Sequence, residues 1–338
     1  MNILVIGGAG YIGSHTVLSL LSASYKVIVV DSLTTGFRES LRRVEKIASC
    51  KVPFYEVDVR DEYRLSEVFR RHKVDAVIHF AALKSVSESQ NNPISYYSVN
   101  FSGTLSLTNV MKKFDVKCLV FSSSATVYGK PDYNPIDESH PTGKTLTPYG
   151  TSKHFVERFL FDLVSSDKNW SISVLRYFNP VGADPLGRIG EASSDKPNNL
   201  VPFIAKVALG ETESLSVFGD DYDTPDGTGI RDYIHVLDLA EAHVSSLDFL
   251  NKNKGYHVFN IGTGNAHSVL EVVAEFEKIS SKTIPLNYTE RRLGDVSACY
   301  ADPSKAQKLL GWKASRTLTE MLESMWNWQQ RNPRGYEQ

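Results

Sequence analysis

The chain has 338 residues, 41% hydrophobic and 22% charged, enough apolar material for a large core and, by the usual size of domains, for about two of them. Its net charge of −2 offers no broad basic surface to a nucleic-acid backbone, so an anionic partner has to be recognised locally. Three cysteines, Cys50, Cys118 and Cys299, are odd in number, widely separated and outside any CxxC or Cys/His pair, which argues against a disulfide framework and against a zinc site.

The opening MNILVIGG runs straight into an apolar strand, with no basic leader, long apolar segment or small-residue cleavage site; this predicts a cytoplasmic protein with no membrane association. Six apolar runs follow one another: ILVIG, KVIVVD, VPFYEV, VDAVIHF, KCLVFSS and SISVLRY, each trailed by a helix-like segment. Continuous Val/Ile runs suit strands buried on both faces, and the alternation predicts an α/β fold with a doubly wound parallel sheet of the Rossmann kind.

Between the first strand and the first helix stands Gly7-Gly8-Ala9-Gly10-Tyr11-Ile12-Gly13, which satisfies GxGxxG from Gly8 and GxxGxxG from Gly7. Gly7, Gly10 and Gly13 permit the tight turn and let a pyrophosphate approach backbone N–H groups at the positive end of the helix. Asp31 closes KVIVVD about twenty residues on, where a carboxylate accepts from an adenosine ribose and repels a 2′-phosphate; the cofactor expected is NAD.

Farther along, Ser122-Ser123-Ser124 end KCLVF at the carboxyl edge of the sheet, where ligands bind in such folds. Tyr149-Gly150-Thr151-Ser152-Lys153 then opens a helix after Pro148, with the phenol and the ammonium on one face at i, i+4. A free phenol, with a pKa of about 10, is a poor base at neutral pH. A lysine cation beside it favours the phenolate and makes Tyr149 a general base, with Ser124 to orient or relay the proton.

After about residue 180 the rhythm breaks at Gly182, Pro185, Gly187, Gly190 and Pro197. The rest mixes an apolar helix from Leu200 to Leu209, short strands LSVFG and RDYIHV, and helices near Leu270 and Leu318. The division expected is residues 1–180 for the cofactor and residues 181–338 for a smaller mixed α/β lobe, interleaved with returns to the first. His15, His79 and His235 show neither HxH nor HExxH spacing and read as packing or hydrogen-bonding residues, with no metal expected.

GGAGYIGSHT, VIHFAALK, FSSSATVYG, YGTSK, LRYFNPVGA and GTGIRDYIHV together resemble the 4-epimerases that interconvert UDP-galactose and UDP-glucose, within the extended short-chain dehydrogenase/reductase family, over essentially the whole chain. That resemblance implies a cycle in which Tyr149 takes the C4 hydroxyl proton while hydride leaves C4 for NAD, the keto sugar turns over, and hydride returns to the opposite face. It implies an NAD site lined by Tyr11, Ile12, Asp31, Asp58, Val59, Phe80, Ala81, Lys84, Asn100 and Phe178, with Lys153 also on the nicotinamide ribose and Ser124 on the sugar. It implies a UDP site of Asn179, Asn199, Leu200, Val217, Phe218, Arg231, Tyr233, Arg292 and Asp295, UDP-hexose substrates, and a homodimer. Nucleotide-sugar 4,6-dehydratases of this family carry an acid pair after the strand-end hydroxyl; Ala125 and Thr126 stand there, against dehydration. A non-catalytic NAD-binding sensor would have no use for Ser124, Tyr149 and Lys153 together.

Cys299 lies in GDVSACYAD, where members restricted to unacetylated sugars carry a tyrosine against the hexose and members that also take N-acetylated sugars carry small residues. The resemblance therefore implies room for a 2-acetamido group. Tyr300 is the alternative occupant of that place; Gly294-Asp295 and Ala301-Asp302 match the family's pattern without a gap and favour Cys299.

Overall fold

The structure, a computed structural model, describes residues 1–192, 199–292 and 294–336; Pro197 lies outside them. The first half runs β1 (Asn2–Ile6), α1 (Tyr11–Ser22), β2 (Lys26–Asp31), α2 (Arg38–Ala48), β3 (Phe54–Glu56), α3 (Glu62–Arg71), β4 (Ala76–His79), α4 (Val86–Asn91), α5 (Pro93–Tyr96), α6 (Gly103–Lys113), β5 (Cys118–Ser124), α7 (Pro148–Ser166) and β6 (Ser171–Tyr177). A π-helical stretch, Tyr97–Ser102, joins α5 to α6, and a 3-10 turn, Ala125–Tyr128, follows β5. The six apolar runs are the six strands.

The second half supplies β7 (Asn179–Val181), α8 (Leu200–Ala208), β8 (Leu215–Phe218), β9 (Ile230–His235), α9 (Val236–Leu250), β10 (Gly255–Ile261), β11 (Ala266–Ser268), α10 (Val269–Ser280), β12 (Leu286–Thr289), β13 (Ala298–Cys299), α11 (Ser304–Leu310) and α12 (Leu318–Arg331). One of these strands leaves its neighbours: β10 pairs with β6, so the large sheet reads β10-β6-β5-β4-β1-β2-β3, parallel throughout. The order reverses between β1 and β4, which opens a crevice beyond their carboxyl ends.

Strand periodicity divides the core in two. Ile3, Val5, Val29 and Ile78 face α1, α2 and α9, while Leu4, Ile6, Ile28 and Val77 face α3, α6 and α7. The smaller lobe has its own core, in which Val201, Ile204, Phe276 and Trp328 pack between α8, α10 and α12 against Val217 and Tyr233. Trp328 is fully buried and donates its indole N–H to the Glu191 carbonyl at 2.8 Å. Gly190 leaves it room, since a Cβ there would stand 2.4 Å from the indole ring.

Trp328→Ala is expected to cost about 3–5 kcal/mol of stability through the cavity it leaves, read as a lower urea midpoint at unchanged slope.

Candidate active site

The glycine loop is held tightly from below and left open above. Gly7 has φ 83°, and a Cβ on it would lie 2.6 Å from the Ala81 nitrogen; one on Gly13 would lie 2.2 Å from the Gly7 oxygen. Gly10, by contrast, caps α1 without any side-chain hydrogen bond, and a Cβ there would meet only the Gly7 oxygen, at 3.5 Å. The first N–H groups of α1 thus stay available to a ligand, and bare backbone faces the space a pyrophosphate takes. Asp31 sits beside this loop, accepting from the N–H of Ala9 at 2.9 Å and of Leu33 at 2.8 Å. Burial pushes its carboxyl up from the usual range, and those two donors pull it back. This donor set fits NAD.

Around the loop, the expected residues divide by what their side chains do. Val59 packs beneath Gly103, Phe80 lies tilted against His243 with ring centres 4.7 Å apart, and Ala81 presses its backbone on Gly7. Asp58 is drawn below the usual carboxylate range by Arg60, whose guanidinium reaches it at 2.6 Å and 2.9 Å. Tyr11 donates its hydroxyl to the Gly182 carbonyl at 2.6 Å, and Ile12 packs on the sheet core. Lys84 donates to Glu191 at 2.8 Å. Asn100 is turned inward: it accepts from the Leu83 N–H, and donates to the Leu83 carbonyl and to Ser152. It fixes the segment that carries Lys84 against α7, and its polar ends are already used.

The reacting groups meet at the end of β5. Thr147 caps α7, accepting from the Gly150 N–H, and Pro148 starts its first turn. Gly150 lets the helix come close, because a Cβ there would lie 3.0 Å from the Thr126 oxygen. Ser124 accepts from both the N–H and the hydroxyl of Thr126, at 3.2 Å and 3.0 Å, which aims its own hydroxyl. Burial pushes the Tyr149 phenol up and the Ser124 hydroxyl beside it pulls it down. Lys153, 3% exposed, donates to the Ser122 carbonyl at 2.8 Å and lies 4.9 Å from the centre of the Phe121 ring. Burial lowers its ammonium to about 7, against the pull of Glu157.

The residues expected on the sugar-nucleotide side come from two small sheets, α8 and the loop before β13. Register pairs Asn179 with Tyr233 and Cys299 with Arg231. Arg231 donates to Asp295 at 2.5 Å, and Arg292 lies over the Phe218 ring at 3.6 Å. Asn199 caps α8 without a side-chain bond to it and Leu200 opens the helix half-buried. Val217 and Tyr233 differ from the rest, since both side chains are sunk in the small core. Cys299 packs against Ala125, Val127, Ile136 and Phe178, with its thiol pushed up to about 11 by burial and therefore neutral at pH 7. Phe178 belongs to this cluster.

A model of the NAD dependent epimerase/dehydratase family matches residues 3–262. The chain is 52% identical to the human UDP-glucose 4-epimerase, covering 99% of this chain and 98% of that one, and 51% identical to that of Bacillus subtilis, covering 99% of both. The chain belongs to this family, among the UDP-glucose 4-epimerases. The UDP-glucose 4-epimerase of Bifidobacterium longum, solved in complex with NAD+ and UDP, superposes with a TM-score of 0.96 at 52% identity, over 99% of this chain and 100% of that one.

Within the epimerase frame, several residues at the site had escaped sequence reasoning. Glu157 and Arg176 form a buried ion pair one turn below Lys153. A charge inside the apolar run SISVLRY was the available signal, since a buried guanidinium demands a partner. Asp232, fully buried, accepts from the Ala301 N–H and from Thr263 and Gly264, and Asn134 accepts from the Tyr300 N–H; both clamp the chain beside Cys299. Among the described residues no group of three or more His, Cys, Asp or Glu side chains is placed to hold a metal. His15, His79 and His235 each hydrogen-bond inside the protein, to Tyr11, Thr104 and Ser324.

Gly13→Ala is expected to lower NAD retention more than about tenfold by displacing the loop backbone, measured as nucleotide released from the purified protein on gel filtration.

Proposed function

We propose that this protein interconverts UDP-glucose and UDP-galactose, and UDP-N-acetylglucosamine and UDP-N-acetylgalactosamine, at carbon 4. The observation that carries the first part is the meeting of Ser124, Tyr149 and Lys153 at the strand-end crevice beside the glycine loop. NAD, when bound, supplies a reversible hydride acceptor at C4. The loop from Gly7 to Gly13 and Asp31 hold it, with Lys84 and Lys153 on its polar groups and Phe80 and Phe178 walling the site.

Lys153 carries a positive charge to the phenol of Tyr149 and lowers the cost of forming the phenolate. Tyr149 takes the proton from the C4 hydroxyl as the carbonyl forms, with Ser124 orienting that hydroxyl, and returns the proton from the same atom when the carbonyl is reduced. Arg231, Arg292 and the α8 end at Asn199 hold the UDP half. Binding energy placed there retains the keto sugar while its ring turns over. Asp295 orients Arg231 through their ion pair. In this reading residues 1–180 serve the cofactor and residues 181–338 the nucleotide sugar. Ala125, buried, and Thr126, bonded to Ser124, leave no acid pair for dehydration.

The second sugar pair rests on Cys299, a small side chain in the wall that also carries Ala125 and Phe178. A phenol there would fill the space that a 2-acetamido group needs as the ring turns. A homodimer in the cytoplasm completes the proposal: Phe155, 46% exposed on α7, forms an aromatic patch with Tyr97 and Phe101, suited to a second copy.

Tyr149→Phe is expected to cut kcat by at least about a hundredfold with NAD still bound; equal conversion of UDP-galactose to UDP-glucose, read by chromatography of the products, overturns the base. With Cys299→Tyr, conversion of UDP-N-acetylglucosamine should disappear while UDP-galactose is still turned over, as read by chromatography of the products. A wild type inert towards the acetylated pair restricts the enzyme to the first pair.

A further inference from the structure

A buried ion pair, Glu157 with Arg176, lies behind the reacting groups without a part in the chemistry above. Glu157 is 4% exposed and Arg176 6% exposed. Arg176 grips the carboxylate with two parallel bonds, Nε to Oε1 at 3.0 Å and Nη2 to Oε2 at 2.6 Å, and Ser123 donates to Oε1 at 2.5 Å. The guanidinium is steadied in turn by the Tyr128 hydroxyl at 2.9 Å, whose own proton goes to Asn260 at 2.6 Å. Stability alone is a weak reason for such a pair, because apolar residues of the same volume commonly serve a core as well or better.

Its position supplies another reason. Glu157 stands one helical turn from Lys153 on the same face of α7. The ammonium gives a hydrogen bond to the Ser122 carbonyl, and Glu157 commits its oxygens to Arg176 and Ser123, so the two act on each other through the field and without a shared hydrogen bond. We propose that Glu157 is a positioning residue for the reaction, which keeps Lys153 charged in a dry site, while Arg176 locks the carboxylate in place and prevents it from closing onto the lysine. The proposal rests on the reading that Lys153 acts on Tyr149.

The groups that face Lys153 from each packed element leave Glu157 as the anion of the set. From α7 come Tyr149 and Glu157. β4 brings His79, held neutral by a value of about 3 that burial and then the Lys153 charge impose. β5 brings the Phe121 ring, the Ser122 carbonyl and two serine hydroxyls. β6 brings Arg176 and the Tyr177 phenol, which burial pushes up and keeps protonated. The 3-10 turn brings Tyr128, pushed up to about 12 by burial. Against this background, burial drives the lysine towards its neutral form and Glu157 opposes it.

The test is the pH dependence of kcat for UDP-galactose, measured on the NAD-loaded full chain. Loss of the Lys153 proton ends activity on the alkaline side, so Glu157→Gln should move that limb to lower pH by at least about one unit, and Glu157→Asp should restore most of the shift. Arg176→Gln should leave the limb in place or move it to higher pH. If either single variant fails to fold, Glu157→Gln combined with Arg176→Met leaves no unmatched buried charge and is expected to move the limb in the same acid direction, by no more than Glu157→Gln would alone. A Glu157→Gln enzyme slowed equally at every pH, or an acid shift as large in Arg176→Gln, overturns the proposal and reduces the pair to packing. Lys153→Met tests the underlying reading separately: wild-type kcat in that variant overturns the role of Lys153 itself.

Discussion

The ammonium of Lys153 donates to the carbonyl oxygen of Ser122, and the site depends on that one bond. It ties α7 to the end of β5, and so sets Tyr149 on the helix opposite Ser124 on the strand. The bond also satisfies a cation that would otherwise be stranded among Phe121, His79 and the apolar faces of the sheet. A carbonyl serves this purpose well because it orients the ammonium without neutralising it. A carboxylate in the same place would hold the lysine more firmly and cancel the field that, in the proposed function, acts on the phenol. The carboxylate one turn away on α7, Glu157, is instead fastened to the Arg176 guanidinium of β6.

Much of this arrangement was legible in the sequence because it is local. The six apolar runs became β1 to β6, the glycines fell at the turn after β1, and the i, i+4 spacing of Tyr149 and Lys153 put both on one face of α7. What escaped was set by contacts between distant segments. Lys84 meets Glu191, and Asn100 spends its amide on Leu83 and Ser152, pairings to which no periodicity points. The side chain of Val217, expected at the nucleotide, packs in the small core on the inward face of a short strand. β10 was missed as a member of the large sheet: Gly255, His257 and Asn260 interrupt its apolar pattern, and its first residues are only partly buried.

On the substrate side, the position of Cys299 is set more by backbone than by the thiol. Two residues of β13 pair with β9, Ile136 donates to the Tyr300 carbonyl at 2.8 Å, and the buried carboxylate of Asp232 takes the Ala301 N–H at 3.1 Å. Desolvation raises the Asp232 carboxyl, and four hydrogen bonds from Thr263, Gly264 and Ala301 work against that rise. A wall pinned this way has a fixed floor, so the volume beside it changes with the side chain mounted on it and little else. Under the proposed function, such a construction lets one substitution alter which substrates fit while Ser124, Tyr149 and Lys153 stay where they are.

The seventh strand gives the molecule a property that a two-lobed description conceals. All seven residues of β10 pair with β6, closing an edge that the first 180 residues cannot close for themselves. A chain ending there would expose a bare, apolar strand of the type that recruits other chains into aggregates. The second half of the chain therefore completes the sheet of the first as well as forming the smaller lobe, so neither half buries its own apolar surface alone.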